Sequence, residues 1–109
     1  MAEKEEGYVM ELAKVKSSNE LNKLEEDILQ YLANSPNIMG YRDDKGKYHE
    51  EKTYDMDYMV LWDEFHRNRK VPRKKLWEAL YFLELKGYIW WDNGSWVLTK
   101  KGKLFCGIK

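Results

Sequence analysis

The chain predicts an α+β domain of three helices followed by a short two-stranded hairpin. Three features carry that expectation: apolar residues at helical spacing in three segments, an Asn-Gly pair between alternating apolar residues, and a cation cluster where the third helix begins. At 109 residues and 43% apolar, with five Trp, eight Tyr and three Phe, the sequence holds enough for one domain with a real core. The charged fraction of 35% does not imply disorder beside so many aromatics.

Residues 1–16 read as an N-terminal extension and 17–109 as the domain. Within the extension, "YVMELAKV" (8–15) suits a short helix or an edge strand equally. Ser17 stands three before Glu20, a capping-box spacing, ahead of Leu21, Leu24, Ile28 and Leu32 at helical intervals. That first helix ends near Ala33, because the residue before Pro36 avoids helical backbone. Residues 37–53 form a polar insert, with "YRDDKGKY" marking a turn or small hairpin around Gly46. A second helix is expected from about Asp55 or Met56, its stripe made by Tyr58, Leu61, Trp62 and Phe65. The third spans 72–87: Pro72 suits its first turn, Gly87 its end, and Leu76, Ala79, Leu80 and Leu83 its core face. The Asn93-Gly94 turn then sets Trp91 against Trp96 and Ile89 against Leu98, with Trp90 and Val97 on the other face. "KKGKLFCGIK" adds a turn or a very short helix.

Net charge is zero, but it is divided. Residues 1–64 hold eight Lys/Arg against sixteen Asp/Glu, and residues 65–109 hold eleven against three. A chain so polarised can offer a basic face to a polyanion. The stretch "RKVPRKK" concentrates five cations in seven positions.

Two helices a few residues apart, the second running into a hairpin, have the layout of a winged helix-turn-helix. Over the last third of the chain, "LWEALYFLELKGYIWW" and "WVLTKKGKLF" resemble the recognition-helix-and-wing stretch of MarR-like and PadR-like prokaryotic and archaeal regulators. Leu83, Glu84, Gly87, Ile89, Leu98, Thr99 and Gly102 carry the match. The resemblance implies a transcriptional regulator bound to duplex DNA, with helix 72–87 in the major groove. Arg67, Arg69, Lys70, Arg73, Lys74 and Lys75 are then expected on phosphates, Lys74 and Glu78 near base edges, and Lys100 and Lys101 on the backbone beyond the wing. The opposing view of the cations is a solvated basic turn.

Two features depart from those families. The wing tip "WDNGSW" has Asp92 and no cation, and Trp77, Tyr81 and Leu85 make the reading face apolar. Those three residues are therefore also candidates for a protein interface, with a second copy or another subunit. Catalysis is not expected: His49 and His66 lie apart, and "HEEK" at 49–52 lacks the second His of a zinc-protease motif. No cofactor, metal or small-molecule ligand is expected. Neither a membrane-length apolar run nor a secretory signal is present, and the single Cys106 rules out an internal disulfide, so a cytoplasmic location is expected.

Overall fold

The computed structural model describes residues 20–108. In chain order they form α1 (Lys23–Ala33), β1 (Asn37–Arg42), β2 (Tyr48–Thr53), β3 (Asp55–Asp57), α2 (Tyr58–Trp62) with a π-helical continuation (Asp63–Asn68), α3 (Arg73–Leu85), β4 (Ile89–Asp92), β5 (Ser95–Leu98) and α4 (Lys100–Phe105). The class is α+β, with two small antiparallel sheets. One is the isolated pair β1–β2. The other has three strands in the order β3–β5–β4.

The core is what the helical spacing requires. Ile28, Leu29 and Leu32 of α1 meet Leu61 of α2, Phe65 of its π-helical continuation, and Leu76, Ala79, Leu80 and Leu83 of α3. Ile89, Trp96 and Leu98 close it from the three-stranded sheet. The β4–β5 register is the expected one, Trp91 opposite Trp96 and Ile89 opposite Leu98. Its turn uses positive φ at Asn93 (46°) and Gly94 (89°), which an L residue other than Asn or Asp adopts reluctantly.

Three expectations change. The first helix starts at Lys23 rather than after Ser17: Asn22 accepts from the Glu25 N–H, and the Glu25 carboxylate accepts from the Asn22 N–H. Ser17 and the 8–15 segment lie outside the described residues. Asp55 and Met56 begin no helix. They form β3, whose Met56 sits opposite Trp96 with both side chains buried, and Asp57 caps α2 through the Met59 N–H. The polar insert takes the hairpin alternative, with β1 and β2 paired around the turn at Gly46. Finally, the hairpin that ends the third helix is part of a three-stranded sheet, and a fourth helix follows it.

Six of the seven residues that carried the family resemblance, all but the exposed Glu84, have a structural explanation. Gly87 terminates α3 at φ 85°, and its carbonyl accepts the Thr99 hydroxyl proton. The same Thr99 oxygen accepts from the Gly102 N–H and caps α4. Gly102 is buried so close to the Tyr88 carbonyl that a Cβ there would overlap it. Leu83, Ile89 and Leu98 are core. The phrase therefore clasps the end of α3 to the exit of β5, which is a matter of fold and carries no information about what the surface binds.

Candidate nucleic-acid interface

α3 is held by its two ends. At its C-terminus, Lys86 Nζ donates to both Glu25 carboxylate oxygens (3.0 and 3.2 Å) and to the Glu20 carbonyl (2.8 Å), inside the protein. A buried charge requires such a partner, and this one ties the start of α1 to the end of α3. At its N-terminus the π-helical turn sets the entry angle. Arg69 N–H reaches back to the Glu64 carbonyl (3.0 Å), Val71 N–H to that of Phe65 (2.9 Å), and His66 donates from Nδ1 to the Val71 carbonyl (2.9 Å). Lys70 completes the turn in left-handed backbone, φ 61°.

The cations separate into engaged and free. Arg69 is engaged: its Nε bonds Glu64 at 2.8 Å and its guanidinium lies 4.3 Å from the Phe65 ring centroid. That donor, with Asn68, holds the Glu64 carboxyl below its ordinary pKa. Lys101 is also engaged, donating to the Lys86 carbonyl (2.7 Å) beside the Tyr88 ring. Arg67 is exposed, with Asp63 at 3.4 Å. Arg73 lies 5.7 Å from the Trp62 ring centroid. Lys70, Arg73, Lys74, Lys75 and Lys100 are exposed, and none is within ion-pair distance of a carboxylate among the described residues.

The start of α3 is unlike those of the other described helices. α1 is capped by Asn22, α2 by Asp57 and α4 by Thr99. α3 follows Pro72, which offers no side-chain cap, and its first turn holds Arg73, Lys74 and Lys75 with no acid. Free backbone N–H groups and the positive end of the helix dipole thus face outward among like charges. This arrangement is unfavourable for the isolated fold and favourable for an anion arriving from outside.

The expected site does not lie on one face. Lys74 and the half-exposed Tyr81 project from the side of α3 opposite its core residues. Lys75 and Glu78 instead line a groove against Asn22, Lys23 and Leu24 of α1, and Leu85 is half-buried. Trp77 turns toward α2, 5.8 Å from Trp62. Beyond it Tyr58, at the start of α2, lies 5.9 Å from Trp91 of the β4–β5 hairpin. A depression of about 340 Å³ runs between α2 and α3, walled by Tyr58, Met59, Trp62, Arg67, Arg73 and Trp77. The sequence placed Tyr58 and Trp62 in a core stripe, whereas Tyr58 is exposed and Trp62 half-buried.

His49 lies in the β1–β2 hairpin, stacked on Tyr41 and 2.8 Å from Asp43, far along the chain from His66. No group of three or more His, Cys, Asp or Glu side chains is arranged to hold a metal among the described residues. No described helix is long and apolar enough to cross a membrane. Comparison with protein-family models, with curated proteins and with solved structures returned no match.

Proposed function

We propose that this chain is a winged-helix protein that binds duplex DNA, gripping phosphates at the start of α3 and presenting α3 to the major groove. With the β1–β2 hairpin as an insertion after the first helix, the order helix, strand, helix, helix, hairpin up to α4, with the strand β3 paired to the hairpin, supports a winged-helix architecture. The observation that carries DNA binding is the uncapped, all-cationic first turn of α3, next to Lys70 in the turn before it. Phosphate oxygens accept from free helix N–H groups and neutralise the cations together. Lys70, Arg73 and Lys74 are the principal anchors, with Lys75 and Arg67 at the margins and Lys100 at the foot of the hairpin. Arg69 shapes the turn through Glu64. A transcriptional role and a second copy across a palindromic site are natural extensions for this architecture.

Arg73→Glu with Lys74→Glu is the test. The double variant is expected to lose affinity for every duplex sequence alike and to bind with a shallower salt dependence. Unchanged binding would overturn the proposal. A second role, protein contact through the outward face of α3, is favoured by the exposure of Tyr81. Tyr81→Ala would then change oligomeric state while leaving DNA affinity intact.

A further inference from the structure

The depression between α2 and α3 has no counterpart in a simple phosphate grip. We infer that it receives unpaired bases, so that the preferred ligand is DNA with a single-stranded segment adjoining the duplex. The inference rests on the DNA-binding role proposed above and specifies its substrate.

Three observations converge. The first is aromatic surface left open: Tyr58, Trp77 and Trp91 are each 42–46% exposed. Core aromatics here, such as Phe65 at 0% and Trp96 at 7%, show that the fold can bury rings where it needs them. Together with Trp62 they form a strip in which Trp62 and Trp77 are 5.8 Å apart and Tyr58 and Trp91 are 5.9 Å apart. The second is charge. Two guanidiniums, Arg67 and Arg73, stand in the walls, and Arg73 has no carboxylate partner among the described residues. The third is continuity, because Arg73 belongs both to this depression and to the first turn of α3.

The side of a duplex cannot use such a surface. Its bases are stacked inside, and the strip would face only sugar and phosphate. An unpaired strand presents π-faces to the rings and phosphates to the guanidiniums, the combination that single-strand-binding grooves use without regard to sequence. A strand leaving a duplex held at Lys70 and Lys74 has the depression next to it. At about 340 Å³ the space suits one or two nucleotide groups rather than a long track.

The test compares a blunt mixed-sequence duplex with the same duplex carrying a short single-stranded overhang, by anisotropy and by quenching of tryptophan emission. The overhang is expected to tighten binding about five- to hundredfold per stacked base and to quench emission. Trp77→Ala should abolish that gain while leaving blunt-duplex affinity unchanged, and Trp77→Phe should retain most of it. Should Trp77→Ala fail the circular-dichroism check for folding, Tyr58→Ala on the facing wall replaces it.

Equal affinity for both ligands would overturn the inference and leave duplex binding standing. A Trp77→Ala variant that keeps the overhang preference but dissociates a dimer in sedimentation would also overturn it, making the strip a contact between copies. Failure to bind either DNA would remove the DNA-binding role itself.

Discussion

The starts of α1 and α3 are two solutions to one problem. Each leaves backbone N–H groups without helical partners. α1 meets part of that need internally: the Asn22 side chain accepts from the Glu25 N–H, the Glu25 carboxylate accepts from the Asn22 N–H, Glu25 and Glu26 complement the positive end of the helix dipole, and Glu25 also holds buried Lys86. α3 satisfies none with a side chain and adds Arg73, Lys74 and Lys75 to the positive end. The first design stabilises the fold. The second lacks that internal stabilisation, and under the proposed DNA binding an external anion would supply it.

Removing the α1 arrangement is expected to have the largest effect. Glu25→Ala strands the Lys86 ammonium in the interior and should lower stability by about 3–5 kcal/mol, read from urea denaturation. A loss below about 1 kcal/mol would mean that Lys86 finds water instead. Asn22→Ala removes only the cap and should lower stability by about 0.5–2 kcal/mol. Thr99→Val, which cuts the clasp to Gly87 and the cap of α4, belongs in the same range.

Changes at α3 should have the opposite sign. Lys74→Glu places an acid in a helix first turn, and stability should rise by about 0.3–1 kcal/mol while DNA affinity falls. A thermal melt and a binding titration on one preparation measure both. If stability and affinity fell together, Lys74 would be a structural residue and the contrast with α1 would fail. The smallest effect concerns Arg69. Its carboxylate partner is held below the ordinary range, so the pair is intact above that range and is lost as pH falls through the lowered Glu64 value. At neutral pH, Arg69→Gln should therefore loosen the turn while leaving the salt dependence of DNA binding close to that of the unaltered protein.

Local patterns were legible in the sequence wherever one chain segment decides its own structure. Leu76, Ala79, Leu80 and Leu83 form the buried face of α3, and Asn93-Gly94 fixed the register that pairs Trp91 with Trp96. β3 was hidden because its three residues run directly into α2, and its strand character comes from pairing with β5, forty residues later. The start of α1 was misplaced because the two spacings, Ser17 to Glu20 and Asn22 to Glu25, are equally good caps on paper.

The site was half legible for the same reason. Charge clustering announced the start of α3, but a one-dimensional list cannot tell a free cation from an engaged one. Arg69 and Lys101 looked like Lys74, yet Glu64 and the Lys86 carbonyl hold them. Exposed Tyr58 and half-buried Trp62 looked like core, because a helical stripe does not reveal how much of it a neighbouring helix covers.

The most direct measurement is fluorescence anisotropy of a labelled mixed-sequence duplex titrated with the protein at about 50 and 200 mM salt. Each phosphate neutralised should contribute about 0.9 to the fall in log affinity per decade of salt. Binding whose slope corresponds to three or more phosphates, and which flattens in the Arg73→Glu, Lys74→Glu variant, is the expected result. Absence of binding at the lower salt would contradict it and make the start of α3 a solvated basic turn.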